Sequence, residues 1–462
     1  MWAEEKKKLI KLYVPNGDEC NASRKVAEEL KEKISGIVSK EHIDVVEIAI
    51  VGSIARGTYI KTKTPDIDIF LLFKDTVNLE NIKEEGLKIG KIAINGETRY
   101  AQHPYIHGFY KNFEVDIVPA YKIMDPSIMK MSAVDRTPFH NAFVLNKMNE
   151  RMRIDTVILK QFLYAHDIYG AEAKISGLSG YLTELLIIYY NTFENLIKHV
   201  AKWKPPVKLS LTGDGHYNGF TEPMIYIDPV DSSRNVAAAL SIDCLSKFIT
   251  LARRFNDNPS EQFLFKKEVK IASKEELIHK LKERGTEILV IETKAPEVVD
   301  DILYPQLKRF VKVVIDSLER YGFKVVNGVY DLVNSRIVIL IELYSLSLPA
   351  LELRNGPPAW NDNSNEFLNK WLNSKRSLSY PFIMDGYWWV YVRREFNTAM
   401  DLVKDRLQTW NPGKNITEIL SEGFSVKKID DSAEDSLMPP LTKLMKLEEP
   451  DWLTFKGGES LQ

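Results

Sequence analysis

Cysteine is nearly absent. Two residues in 462, Cys20 and Cys244, are too few and too far apart for a disulfide framework or a thiolate metal site, which fits a reducing, cytoplasmic setting. Long apolar runs are missing too. No segment approaches the ~20 consecutive apolar residues of a membrane-spanning helix. The opening Met1-Trp2-Ala3-Glu4-Glu5-Lys6-Lys7-Lys8 lacks the apolar stretch of a signal peptide. Nor is there an excess of positive charge: 62 Lys and Arg against 64 Asp and Glu leave a net −2. A protein that coats nucleic acid indiscriminately is basic, because each phosphate contact wants a cation. Any nucleic-acid partner must therefore meet a local basic surface. There is no internal repeat and no low-complexity segment, and the sequence leaves open whether the chain is a monomer or a homodimer.

What is present is ordinary globular composition, 44% hydrophobic and 27% charged, in a chain long enough for about three domains. Residues 23–38 have helical apolar spacing after Ser23 as N-cap. Val45–Ile50, Asp66–Phe73 and about Phe113–Pro119 read as strands, giving a small α/β head over 1–149. Residues 151–168, 180–203 and 235–256 have helical periods, with Gly170 and Pro259 as stops, so 150–258 reads as a helical central neck. Over 259–462 the order changes again. Ser273 and Glu276 suggest a capping box for a helix ending near Gly285. A strand at Glu287–Glu292, a long helix to about Tyr321, and strands Lys324–Leu332 and Arg336–Tyr344 turning near Asn334-Ser335 follow. That order predicts an RRM-like or ferredoxin-like α+β body. Residues 357–440, rich in Trp and Tyr, read as partly helical. The fold class is thus α+β and multidomain.

The chemistry concentrates in Gly52-Ser53-Ile54-Ala55-Arg56-Gly57-Thr58 followed by Asp66-Ile67-Asp68-Ile69-Phe70. Strand residues two apart share a face, so Asp66 and Asp68 project together while Ile67, Ile69 and Leu71 are buried. Carboxylates forced side by side repel and call for a divalent cation; hard oxygen donors without neighbouring His or Cys favour Mg²⁺ over zinc. Asp116, in Phe113-Glu114-Val115-Asp116-Ile117, offers a third carboxylate on another strand, with Glu114 on the same face as the alternative. Three such groups can hold two metals for in-line displacement at phosphorus. The Gly-Ser turn lets backbone approach a triphosphate, whose oxygens the Ser53 hydroxyl and nearby N–H groups can cradle. Asp-x-Asp alone also fits an edge strand with a solvated face, and Gly-Ser alone an ordinary turn; their combination with a third carboxylate favours chemistry.

Gly-Ser, a short gap, Asp-x-Asp and a distant Asp resemble the polymerase-β-like nucleotidyltransferase superfamily. Arg136-Thr137-Pro138-Phe139-His140, Lys160 with Tyr169-Gly170, Gly177-Leu178-Ser179-Gly180-Tyr181, and Asp228-Pro229-Val230-Asp231-Ser232-Ser233-Arg234-Asn235-Val236-Ala237 resemble the archaeal (class I) CCA-adding enzymes. The resemblance runs in order from about residue 10 to 440. It implies template-independent addition and repair of the C, C and A at the 3′ end of tRNA, using CTP and ATP and releasing pyrophosphate. By motif position, Asp66, Asp68 and Asp116 would be catalytic and bind Mg²⁺, and Ser53 and Arg56 would hold the triphosphate. His140, Lys160 and Tyr169 would contact the incoming nucleotide, with Thr137 and Ser179 nearby, and Arg234 would read the base edge.

Taken singly, these residues have plainer readings. Lys160 could snorkel from its helix, Tyr169 could pack at a helix end, His140 could be a satisfied boundary residue, and Arg234 could pair with Asp231. For tRNA, the last third offers Lys308, Arg309, Lys312, Arg320, Lys324, Lys370, Lys375, Arg376, Arg393 and Arg394 among Trp360, Trp371, Tyr380, Trp388 and Trp389. Aromatics can stack on bases and cations can follow phosphates; the same residues also suit a core and solvated helix faces. The rival functions are a poly(A) or oligoadenylate polymerase on the same head and neck, and a catalytically inert RNA-binding scaffold.

Overall fold

The computed structural model describes residues 2–100, 103–128, 130–213, 217–430, 433–448 and 450. The end of the expected third domain, 451–462, lies outside the described residues. The chain divides into two compact units, one running to Glu268 and the other Val269–Glu449. Head and neck therefore fold as one body.

The first unit opens with helices α1 (Trp2–Tyr13) and α2 (Gly17–Glu41). The helix expected from Ser23 begins earlier, because Asn16 and Glu19 form a reciprocal capping box. Ser23 instead sits inside the helix, its hydroxyl on Glu19 O and Tyr59 Oη. Then come β1 (Val45–Val51), the one-turn α3 (Gly52–Arg56), β2 (Asp66–Phe73), α4 (Leu79–Ile94), β3 (Glu97–Tyr100), β4 (Pro104–Tyr110) and β5 (Phe113–Tyr121). The sheet order is β1-β2-β5-β4-β3. Only β2 and β5 run parallel. One face, with Ile67, Ile69, Leu71, Val115 and Ile117, joins Leu30 and Ile34 of α2 and Ile82 and Ile89 of α4 in a core. The opposite face carries the acidic residues and then a small apolar cluster of Phe70, Leu72, Val51 and Ala120.

Helices α5 (Thr137–Lys147) and α6 (Glu150–Ala165) lead into the neck, with α7 (Gly180–Tyr190) and α8 (Phe193–Val200). The expected helix 180–203 is two helices: Asn191 is left-handed at φ 66°, and Thr192 caps the second. A short parallel pair, β6 (Val207–Ser210) and β7 (Met224–Ile227), precedes α9 (Ile242–Asp257). The helical spacing read from 235 is false over its first turn. The Asn235 side chain accepts from Tyr226 N and Ala237 N, fixing a turn, and the helix starts only after the Ser241 cap.

The second unit comprises α10 (Lys274–Arg284), β8 (Glu287–Lys294), α11 (Asp300–Arg320), β9 (Val325–Val333) and β10 (Arg336–Leu343). Next are β11 (Leu351–Pro358), α12 (Ser364–Leu372), β12 (Phe382–Met384), β13 (Tyr387–Arg393), α13 (Ala399–Arg406), α14 (Lys414–Glu422), β14 (Ser425–Lys428) and α15 (Met438–Leu444). The Ser273 side chain accepts from Glu276 N, and α10 ends at left-handed Gly285, as the sequence predicts. Asn334 and Ser335, at φ 49° and 60°, turn β9 into β10. β14 adds a fourth strand that the sequence did not announce, giving order β14-β8-β10-β9. The aromatic stretch forms a second sheet, β11-β13-β12, besides its helices. Within it Trp371 is core, while Trp360 and Tyr380 are 78% and 84% exposed.

Candidate active site

The parallel register of β2 and β5 sets Asp66 opposite Glu114 and Asp68 opposite Asp116. All four carboxylates share the face away from the head core, because strand alternation sends Ile67, Ile69, Val115 and Ile117 the other way. Gly52, at φ 78°, opens the turn after β1, and a β-carbon there would collide with the Asp68 carboxylate. His107 Nδ1, on β4, donates to Asp116 Oδ1 at 2.7 Å.

Two cavities flank this acidic ridge. One, of about 260 Å³, is lined by Ser53, Thr58, Asp66, Lys160 and Tyr169. The other, of about 500 Å³, is lined by Arg56, Asp68, Asp116, Thr137, His140, Ser179 and Arg234 among others. Every residue singled out in the sequence for catalysis or nucleotide contact thus lines one cavity or the other. Glu114 lines neither, whereas Asp116 lines the second.

Two buried networks tie the head to the neck. Glu184, on α7, is fully buried and accepts from Thr58 Oγ1 at 2.6 Å, Arg56 Nε at 3.1 Å and Lys160 Nζ at 3.2 Å. Lys160 is 2% exposed and does not snorkel. Arg56 also donates to Asn141 Oδ1 at 2.8 Å. In the second network Asp228 receives His140 Nε2, Arg234 Nη1 and the Tyr181 hydroxyl. The pairing of Arg234 with Asp231 does not form, because Asp231 is taken by Arg136 and by Ser233.

The electrostatics separate the ridge from its supports. Burial, then Glu114 and Asp116, pushes Asp66 up to about 6. Burial, then Asp116 and Asp66, pushes Asp68 up to about 7. Asp116 is raised chiefly by burial, with His107 opposing. Carboxylates crowded so closely that burial and mutual repulsion outweigh His107 and Arg56 suit a cation as partner. Burial raises Glu184, but Arg56, Lys160 and Thr58 more than compensate and hold it below the usual range. Asp228 is likewise lowered: burial opposes ionisation, and His140 and Arg234 outweigh it. Burial depresses His140 despite Asp228.

The donor set fits a hard divalent cation: oxygen ligands on one face, adjacent in register, with raised pKa values. Among the described residues no three His, Cys, Asp or Glu side chains stand so that they could hold one metal ion together.

A five-stranded head with this ridge is the architecture of a nucleotidyltransferase, and a family described as nucleotidyltransferase domain matches residues 25–140. Two further families match in order, tRNA nucleotidyltransferase, second domain, over 155–265, and CCA-adding enzyme, C-terminal domain, over 284–428. The CCA-adding enzyme of Archaeoglobus fulgidus is 35% identical over 445 residues, 96% of this chain and 98% of that one. That of Methanothermobacter thermautotrophicus is 34% identical, covering 92% and 93%. The chain belongs to the CCA-adding enzymes, a family of tRNA nucleotidyltransferases.

Four residues at the site escaped the sequence-based assignment of roles. Glu184 was detectable as the one carboxylate in the apolar run Leu182–Tyr190. Asp228 and Tyr181 stood in motifs without a role. His107 gave no signal, since its place opposite Asp116 depends on the pairing of β4 with β5.

Proposed function

We propose that the chain completes and repairs the CCA end of tRNA, adding C, C and A from CTP and ATP without a nucleic-acid template and releasing pyrophosphate. The observation that supports this reading is the sharing of one cavity by Asp68, Asp116 and Arg234, a guanidinium beside two carboxylates.

Asp66, Asp68 and Asp116 would hold Mg²⁺, in a two-metal arrangement. When bound, Mg²⁺ supplies the charge that acidifies the attacking hydroxyl and neutralises the departing pyrophosphate. Ser53 and Arg56 would hold the triphosphate, and His140, Lys160 and Tyr169 would contact the incoming nucleotide, with Thr137 close by; Arg56, Thr137 and His140 line one cavity, and Ser53, Lys160 and Tyr169 the other. Asp116, hydrogen-bonded to His107, would receive the proton of the tRNA 3′-hydroxyl. Arg234 donates to the base edge. C and A present a ring-nitrogen acceptor beside an exocyclic amine, whereas U and G present an N–H beside a carbonyl. A fixed donor therefore accepts the first pair and leaves the second unpaired. The unit Val269–Glu449 would hold the body of the tRNA, with exposed Trp360 and Tyr380 offering stacking surfaces.

The test supplies tRNA lacking its 3′ end with single labelled nucleotides and Mg²⁺. Incorporation of CTP, followed by one A and a stop, is the expected pattern. Long A tracts without C would assign the chain to poly(A) or oligoadenylate synthesis. No pyrophosphate release with any nucleotide would leave an inert RNA-binding scaffold.

A further inference from the structure

Asp228 follows β7 and its side chain is fully buried. Its Oδ2 accepts from His140 Nε2 at 2.9 Å and Arg234 Nη1 at 2.7 Å. Its Oδ1 accepts from the Tyr181 hydroxyl at 3.2 Å and Val230 N at 3.1 Å. His140, Tyr181 and Arg234 come from α5, from the start of α7 and from the loop after β7. All three line the cavity that holds Asp68 and Asp116, whereas Asp228 does not. A carboxylate that cannot reach a ligand, but holds three side chains that can, acts through them.

We propose that Asp228 is the positioning residue for base selection, anchoring Arg234 by one guanidinium nitrogen and fixing the His140–Tyr181 pair as the facing wall. The inference rests on the reading of Arg234 as the residue that meets the base edge. A guanidinium carries five N–H donors, so one spent on Asp228 leaves others for the cavity. The Arg234 side chain is 33% exposed and sits on a loop, where an unanchored arginine would sample several rotamers. The loop is itself closed: Asp228 N donates to Arg234 O, Arg234 N to Asp231 O and Asp231 N to Asp228 O. Anchor and anchored residue are thereby held at a set separation. His140 and Tyr181 stack with ring centroids 4.3 Å apart and 29° between planes, and both are tied to the same carboxylate.

The physical consequence concerns selectivity. Rejection of U or G depends on a donor that cannot move away from a mismatched N–H or toward a mismatched carbonyl. An arginine released from Asp228 can follow either pattern, so the wrong bases gain relative to the right ones. General damage to the fold lowers the use of all nucleotides together and leaves their ratio alone.

The experiment measures kcat/KM for CTP and UTP on a tRNA primer ending before its first C, for the parent protein, Asp228→Asn, Arg234→Ala and the double variant. Asp228→Asn is expected to lower the CTP to UTP ratio about tenfold or more. Arg234→Ala is expected to lower it at least as far, and the double variant no further than Arg234→Ala. A ratio preserved in Asp228→Asn but lost in Arg234→Ala overturns the role of Asp228 and leaves that of Arg234 standing. A ratio preserved in Arg234→Ala removes the reading of Arg234, and this inference with it. Should Asp228→Asn not fold by circular dichroism, Asp228→Glu keeps the charge and displaces it. A folded Asp228→Glu with an unchanged ratio overturns the proposal as well.

Discussion

The Asp68 carboxylate lies against the α-carbon of Gly52, in the space a β-carbon would fill. Gly52 therefore answers two demands, a backbone φ of 78° and the approach of a charged group from the next strand.

Gly52→Ala is expected to cost about 1–2 kcal/mol in stability from the left-handed backbone alone. The larger effect falls on turnover, because Asp68 must move. A loss of nucleotide incorporation on the order of a hundredfold, with a thermal midpoint lowered by only a few degrees, is the expected pair of readings.

Asp68→Asn removes a carboxylate that burial and two neighbours make costly to ionise. The metal-free protein should melt no lower than the parent, and tRNA binding should persist. Incorporation should fall on the order of a thousandfold or more, equivalent to about 4 kcal/mol of transition-state stabilisation. Calorimetry and single-nucleotide assays on the same preparation check both halves; near-normal turnover would defeat the assignment of Asp68.

Asn235→Ala deletes the acceptor for Tyr226 N and Ala237 N and the donor to Met224 O. Buried groups left without partners cost about 1–3 kcal/mol each. With three such groups, the variant should be destabilised by about 3 kcal/mol or more in urea denaturation. Its selectivity for CTP over UTP should also weaken, because Arg234 is the preceding residue.

Glu184 sets a pH dependence of stability. Its folded pKa lies below the ordinary 4.5, so its stabilisation is complete above that value and is lost as pH falls through the folded pKa. Between the two, the unfolded chain binds more protons, and stability rises with pH. Glu184→Gln should lose about 3–5 kcal/mol at pH 7, the cost of leaving buried cations unmatched. Its unfolding free energy should vary less with pH below about 4.5 than that of the parent. Denaturant midpoints from pH 3 to 7 decide it; parallel curves for the two proteins would count against a charged Glu184.

Strands with alternating character were plain in the sequence: Asp66-Ile67-Asp68-Ile69 has one buried face and one acidic face because the strand period admits nothing else. The turn at Asn334-Ser335 was equally local. What stayed hidden depends on partners distant in sequence. His107 gains meaning only opposite Asp116, and Ser425–Lys428 becomes a strand only by pairing with β8. Val236, Ala237 and Leu240 mimic a helix face, and only the hydrogen bonds of the Asn235 side chain reveal a turn. Nor could the sequence show that Arg56 and Thr58, on one side of the expected boundary at 149/150, share Glu184 with Lys160 on the other.

That shared carboxylate constrains how such a chain can be recombined. A chimera that exchanges residues 1–149 for those of a relative keeps Glu184 and Lys160 but takes from the relative whatever residue stands at the place of Arg56. Without a cation there, the graft inherits an altered charge balance in a dry interior, whatever the quality of its other contacts. Viable crossovers should therefore cluster after Glu268, where the first compact unit gives way to the second, rather than at the seam between head and neck.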